Sequence, residues 1–477
     1  MLGNYIGIFA ILALLVFSHQ NLISFNDKFF NHRIAIIGAG PGGTSAAYYL
    51  QKYTNYNYNI TIFEKSSRIG GRTITIDLYG NSSLPFEAGA SIFVSANKIL
   101  NKAAQDFNLK IKKYRSSVKH DSQLSQVGLY NGTSIYLEIN DSWTTYVKLL
   151  WRYGLAPVQV ARLSKKFLSS FLTYFYERNF PFVTLNSITK ISGLYAGIPT
   201  TADKYFDEQG IKQSYYKEII QSFTRVNYAQ NIDQIHAVGA LVSLATDNPL
   251  QIEGGNWQIF TGMANSSKAL VNLNTEVSTI EKLPNGKWSV GYNGTLDTFD
   301  TVIIASPLKL ANIDLAYSVP DVKFVDLHVT IFTSNETLLP EYFGQDADSK
   351  IPGTILTTVN LSSTPPLEFF SVSIHDYLED TQEYVLKVFS PKLFTNEDIA
   401  LLFSSSASIS WVHRKEFYSY PYLEPVLSFA DFELDNGLWY LNTMESFIST
   451  METSALAGAN VAGLISEGRN TSEISIP

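Results

Sequence analysis

The segment from Ile34 to Leu50, IAIIGAGPGGTSAAYYL, does most to limit what this chain can fold into. A short apolar strand runs into three glycines and then into a helix of small residues. Gly38 lets the chain turn tightly off the strand. Gly40 leaves no side chain between the backbone and a diphosphate, and Gly43 lets helix and strand pack closely while the helix N-terminus faces the phosphates. Glycine-rich turns also arise for backbone reasons alone, so the motif gains its meaning from the residues downstream.

A second strand, Asn59 to Phe63, delivers Glu64 to its end, 21 residues after Gly43. A carboxylate there accepts hydrogen bonds from both hydroxyls of a ribose. A second glycine turn, Ile69-Gly70-Gly71-Arg72, brings a cation beside the same diphosphate or its attached ring. Near the other end of the chain, Leu438 to Asn442 reads as a strand. A turn and an Ala/Gly-rich helix from about Thr450 to Ile465 come after it, and small residues let such a helix lie close to another backbone or a cofactor.

The 477 residues suffice for two intertwined domains. The expected fold class is α/β: a Rossmann-like dinucleotide-binding domain with an inserted α+β substrate domain. The cofactor domain is expected to be assembled from residues 33–111, 235–311 and 431–466. Within its middle block, Thr275 to Ile280, Lys287 to Tyr292 and Phe299 to Ala305 read as strands. Residues 112–234 and 312–430 would form the substrate domain. The first insertion has helical periodicity through Trp143–Tyr153 and Val158–Tyr176, whereas the second alternates like a sheet through Val322–Thr333 and Tyr384–Ser390. The Tyr/Asn alternation from Tyr53 to Tyr58 is expected to be a solvated loop.

A net charge of −8, with no long Lys/Arg run, excludes nucleic acid as a partner. The chain has no cysteine, which removes disulfides, thiol catalysis and cysteine metal sites. Its seven histidines show no metal-ligand spacing, so no metal is expected. Tyr5 to Phe17 is an apolar run of 13 residues, short for a membrane span, and residues 1–18 read as a signal peptide; because no Lys or Arg precedes the run, an uncleaved anchor is the alternative. Nine Asn-x-Ser/Thr sites agree with that reading, at Asn59, Asn81, Asn131, Asn140, Asn265, Asn293, Asn335, Asn360 and Asn470. Asn59 opens a strand and is expected to be buried. The expected location is the lumen of the secretory pathway, with the lysosome as destination and no stable transmembrane span.

A Gly-Gly-Arg turn shortly after the ribose carboxylate is similar to that of flavoproteins of the amine-oxidase and glutathione-reductase-like superfamily. That resemblance points to FAD rather than NAD. Further segments resemble the prenylcysteine oxidase (prenylcysteine lyase) family: Phe86-Glu-Ala-Gly-Ala-Ser91, Leu150-Trp-Arg-Tyr-Gly154, Arg225-Val-Asn-Tyr-Ala-Gln230, Glu253-Gly-Gly-Asn256, and Tyr440-Leu-Asn442 with Met451-Glu-Thr-Ser-Ala455.

The resemblance implies an amine-oxidase-like fold, FAD, and cleavage of the farnesyl- or geranylgeranylcysteine thioether with O2 and water. Cysteine, an isoprenoid aldehyde and hydrogen peroxide would result, during breakdown of prenylated proteins. It also implies that Glu445 reaches the ribityl and diphosphate region, that the Met451 backbone meets the flavin pyrimidine edge, and that Val277 joins Gly38, Gly40, Gly43, Glu64, Gly71 and Arg72 as a cofactor contact. Arg152, Arg225, Asn227 and Tyr228 are the candidates for positioning substrate, each with a structural role as alternative. No catalytic acid or base is assigned. Where the family pattern has His-Pro shortly after the Glu-Ala-Gly segment, this chain has Val94-Ser95, which puts proton handling there in doubt. A related FAD amine oxidase and a non-catalytic prenyl-binding carrier are the competing readings.

Overall fold

The computed structural model describes residues 32–114, 123–140, 142–246, 248–358 and 368–467. The leader expected over residues 1–18 lies outside them.

Strand Arg33–Ile37 sits in a six-stranded sheet, flanked by the parallel strands Asn59–Phe63 and Thr301–Ile304. Leu270–Asn272 lies beyond the former. Leu438–Tyr440 lies beyond the latter, with Glu433–Asp435 antiparallel at the edge. Strands from the N-terminal, middle and C-terminal blocks therefore share one sheet. Its central strands are largely apolar because both faces are covered, whereas the edge strands Leu270–Asn272 and Glu433–Asp435 are partly exposed. Ile34, Ile36, Ile60, Ile62 and Ile303 point to one face, where helices Pro41–Thr54 and Met451–Glu467 pack. Ala35, Ile37, Phe63, Val302, Ile304 and Leu438 point to the other. There they meet a small sheet built on Val277–Lys282, Trp288–Tyr292 and Thr295–Phe299, with fully buried Trp288 at its centre.

The small residues of the C-terminal helix have a direct packing reason. A Cβ on Gly458 would stand 2.2 Å from the carbonyl oxygen of Gly42, and the Ser45 hydroxyl donates to the carbonyl of Ala455. The two helices thus touch backbone to backbone, with the second lying along the first from its glycine turn onward.

A seven-stranded sheet forms the second layer. It runs Ile409–Pro421, Phe324–Ser334, Glu383–Ser390, Ser371–Leu378, Thr354–Thr357, Val127–Tyr130 and Ile135–Ile139. The first insertion contributes its hairpin, Val127–Ile139, beside a strand of the second insertion in parallel register. Helices Trp143–Tyr153, Ala156–Leu172 and Gln221–Tyr228 make up much of the rest of the first insertion.

Two local expectations are corrected. The Tyr53–Tyr58 connection is solvated only at its middle, where Asn55 and Tyr56 are exposed, and not throughout. The helix continues to Thr54, Asn55 ends it in the left-handed conformation, and Tyr53 and Tyr58 are both buried. The Gln51 side chain donates to the Tyr58 carbonyl and holds the chain against the core. Asn59 is exposed although the four residues after it are buried, because it stands at the outer end of its strand.

Candidate active site

The two glycine turns meet. Gly40 has ordinary extended dihedrals, and a Cβ there would find only the Gly71 Cα, at 3.7 Å. Gly71 has φ +57, and its own Cβ would stand 3.1 Å from the Gly40 Cα. The result is a cradle lined by backbone alone, at the N-terminus of a helix that has no side-chain cap. First-turn N–H groups of such a helix have no intrahelical acceptor and attract an anion. Gly38, at φ +109, turns the chain beside Ser306, whose hydroxyl is buried without a partner among the described residues.

Glu64 is buried at the end of its strand and accepts from the backbone N–H of Ala39 and of Ser66, at 2.8 Å each. These bonds fix the carboxylate directly behind the glycine turn. The Thr275 N–H donates to the Glu64 carbonyl, which brings Val277, two residues further on and buried, to the same end of the cradle.

Arg72 leads from the second glycine turn toward the seven-stranded sheet. Its guanidinium donates to the Ser419 carbonyl at 2.9 Å and forms an ion pair with Glu445. Glu445 also accepts from the Asn442 side chain. The second oxygen of Glu445 and the amide oxygen of Asn442 are buried with no donor among the described residues. Two orphaned acceptors are bonded to or beside a partly exposed cation, and that cation follows Gly71, which packs on Gly40 at the uncapped helix N-terminus. A ligand with hydroxyl donors and a diphosphate satisfies all of them, which is the chemistry of FAD. Met451 begins the C-terminal helix, so its N–H is among the donors that lack an intrahelical acceptor.

The substrate candidates separate. Arg152 lies on an outer helix, ion-paired with Glu218 at 2.9 Å and stacked over Tyr136. Its pKa is held above the ordinary value mainly by the hydrogen bond to Glu218. Asn227 clasps two backbone carbonyls, those of Phe223 and Ser243. Arg225, by contrast, is fully buried. It donates to the Asn231 side chain at 2.9 Å and to the Thr357 carbonyl at 3.2 Å, while its second terminal nitrogen has no partner among the described residues. Burial lowers its pKa to about 10. Tyr228 stands edge-on to Tyr420, with ring centroids 5.4 Å apart and its own hydroxyl buried and unpartnered among the described residues. Tyr420 follows Ser419, which holds Arg72, so this aromatic pair adjoins the cofactor-side residues.

Several residues at this junction make contacts that no local sequence pattern encodes. Asn256, from the Glu-Gly-Gly-Asn turn, donates its N–H to Glu87 at 2.6 Å and its side-chain amide to the Ala90 carbonyl. Lys387, buried in the seven-stranded sheet, donates to the Glu87 carbonyl and to the Ser91 hydroxyl, at 3.0 Å each. Burial raises Glu87 to about 7 and lowers Lys387 to about 8. Two family-like segments and a lone lysine in an apolar strand thus lock the two layers together. Glu452 is equally hidden, accepting from the N–H of Ile99 and Leu100 and from the Tyr176 hydroxyl. Asp326, His328 and Glu416 bring ligand atoms within 4.8 Å of one another on the sheet surface, a cross-strand cluster that linear spacing does not reveal.

The prenylcysteine lyase family model matches residues 136–476, well over half of the chain. The chain belongs to the prenylcysteine lyase family. A Rossmann-like dinucleotide-binding model matches residues 36–107. Farnesylcysteine lyase of Arabidopsis thaliana is 28% identical, with 91% of this chain and 87% of that protein covered. Human prenylcysteine oxidase 1 is also 28% identical, over 90% and 88%. Among solved structures, a putrescine oxidase variant superposes with TM-score 0.63 at 16% identity, covering 92% of this chain and 99% of that one. Cyclohexylamine oxidase from Brevibacterium oxydans gives 0.60 at 14%, covering 92% and 99%. These two establish the amine-oxidase-like fold.

Proposed function

We propose that this chain is an FAD-dependent oxidase that cleaves the thioether of prenylcysteine with O2 and water, releasing cysteine, an isoprenoid aldehyde and hydrogen peroxide. The observation that carries the reading is the junction at Arg72. There Arg72, which follows the FAD-compatible glycine cradle, bonds Ser419 beside the Tyr228–Tyr420 pair, in a chain of this family. FAD, when bound, supplies the two-electron acceptor. The protein's part is to hold and orient. The paired glycine turns and helix N-terminus would hold the diphosphate, Glu64 the ribose hydroxyls, and Val277 the adenine end. Arg72, Asn442 and Glu445 would hold the ribityl side, and the Met451 N–H the pyrimidine edge.

The carbon to be oxidised lies between sulfur and an alkene, both of which stabilise a developing cation, so little general-base help is needed. Positioning, exclusion of bulk water and admission of one water molecule are the protein's main tasks. Tyr228 and Tyr420 border the isoprenoid, and Arg225 pairs with the substrate carboxylate through its free nitrogen. Burying ten isoprenoid carbons contributes on the order of 8 kcal/mol before entropy costs, enough for recognition. An amine substrate is favoured only by likeness of fold.

The test is product balance. Farnesylcysteine should yield thiol, farnesal and peroxide in equal amounts, and peroxide from an amine with none from farnesylcysteine would overturn the reading.

The proposed location is the lumen of the secretory pathway, ending in the lysosome. The apolar run at Tyr5–Phe17 supports it, as does exposure of six of the acceptor asparagines, Asn59, Asn81, Asn131, Asn265, Asn293 and Asn335. Endoglycosidase treatment of the secreted-pathway product should lower its apparent mass. No change would contradict that location.

A further inference from the structure

Helices Trp143–Tyr153 and Ala156–Leu172 form a hairpin whose inner face is buried through Tyr153, Val160, Phe167 and Phe171. Its outer face is unusual for a solvated helix. Trp151 is 89% exposed, Trp143 74%, Leu155 70% and Tyr146 63%, with Val147 and Leu150 between them. The exposed apolar residues fall at helical spacing, so they line one stripe running from the first helix across the Gly154 turn. Contiguous apolar faces of this kind mark a surface that is covered in use.

Charge identifies the cover. From Trp143 to Leu172 the sequence contains Lys148, Arg152, Arg162, Lys165 and Lys166 and no Asp or Glu, in a chain whose net charge is −8. Arg152 pairs with Glu218 from a neighbouring element, whereas the other four cations are in no ion pair among the described residues. Tryptophan and tyrosine at the rim of an apolar stripe, flanked by unpaired lysines and arginines, suit the headgroup region of an acidic bilayer. No helix among the described residues is long and apolar enough to cross a membrane.

We propose that this hairpin is a monotopic docking surface for an anionic lipid bilayer. Its base leads to the substrate side of the molecule. Arg152 stacks over Tyr136, the Tyr136 hydroxyl donates to Thr358 at 3.4 Å, and the adjacent Thr357 carbonyl accepts from Arg225. A prenylcysteine dissolved in the membrane would meet the protein at this face. That last step rests on the proposed activity, but lipid binding does not.

The test is co-sedimentation of the full FAD-loaded chain with vesicles of phosphatidylcholine, alone or with about a third phosphatidylserine, read alongside quenching of tryptophan fluorescence by brominated lipid. The hairpin variants carry the decision, because an apolar run retained at Tyr5–Phe17 would add the same lipid binding to parent and variants alike. The Trp143→Ser/Trp151→Ser pair should lower partitioning to both vesicle types at least about tenfold and abolish most of the quenching. Lys165→Gln/Lys166→Gln should lower binding to acidic vesicles by about tenfold or more and leave neutral vesicles little affected. Unchanged thermal melting shows that the variants are folded. Wild-type levels of binding in both variants would overturn the proposal. So would a dimer in solution that Trp151→Ser converts to monomer, which would assign the stripe to a second copy.

Discussion

Alanine at Gly40 and at Gly43 should have opposite consequences, although both glycines belong to one motif. A methyl carbon at Gly43 would lie 2.0 Å from the Gly38 carbonyl oxygen and 3.2 Å from the Ala305 Cβ. The first distance is more than about 1 Å inside any ordinary contact, and its partner is backbone, so helix and strand must move apart. Overpacking costs about 1–3 kcal/mol where side chains can yield, and a backbone clash belongs at or above the upper end. Gly43→Ala should therefore lower apoprotein stability by about 3 kcal/mol or more. At Gly40 the backbone is extended and the nearest atom is 3.7 Å away, so alanine fits the empty protein. Its reduced unfolded-state entropy is neutral or stabilising by about 0.4–1 kcal/mol. The same methyl points into the cradle and would keep a diphosphate from the helix N-terminus. Thermal melting of apoprotein, paired with FAD titration by flavin fluorescence, separates the two. Gly40→Ala should melt no lower than the parent and bind FAD at least about tenfold more weakly, for a loss above about 1.4 kcal/mol. Normal FAD affinity in Gly40→Ala, or an unperturbed melt in Gly43→Ala, would refute the geometry.

Arg225→Met should reduce kcat/KM for farnesylcysteine about 30-fold or more, because a buried charged contact is worth about 2–3 kcal/mol, and should leave farnesylcysteamine, which lacks the carboxylate, unaffected. Equal losses on both substrates would make Arg225 structural. Burial lowers Lys387 to about 8, so between about 8 and its unfolded value of 10.5 the unfolded chain holds the extra proton and stability rises with pH. The difference in unfolding free energy between the parent and Lys387→Met should shift in the parent's favour across that window, by on the order of 1–3 kcal/mol, and a flat difference would contradict it. Glu452→Ala removes the acceptor of two helix N–H groups and of the Tyr176 hydroxyl, and should destabilise by about 3 kcal/mol in denaturant titrations.

The dinucleotide half of the fold was legible because backbone constraints leave a mark in sequence. Gly38 needs a positive φ, Gly43 and Gly458 tolerate no Cβ, and the both-sides-buried strands read as unbroken apolar runs. Glu64 was visible through its distance from the glycines. Arg72 is marked by its glycine turn and Glu445 only by family likeness, and their ion pair joins residues 373 positions apart, which no local pattern encodes. The Lys387–Glu87–Asn256 lock was not anticipated for the same reason. Tyr53 and Tyr58 misled because Tyr/Asn alternation resembles a polar loop, whereas their rings pack inward beneath the helix end. The exposed stripe from Trp143 to Val158 had the periodicity of an amphipathic helix, but sequence alone does not say that the apolar residues divide between two faces, one inward and one outward.

Everything proposed for the chemistry requires FAD and a prenylcysteine to meet at the Arg72 junction. Anaerobic addition of farnesylcysteine to the FAD-loaded protein tests this most directly. The predicted result is stoichiometric bleaching of the visible flavin absorption with release of one thiol per flavin, and return of the colour with peroxide on admitting air. Flavin that stays oxidised while farnesylcysteine is bound, or bleaching without thiol release, would contradict it.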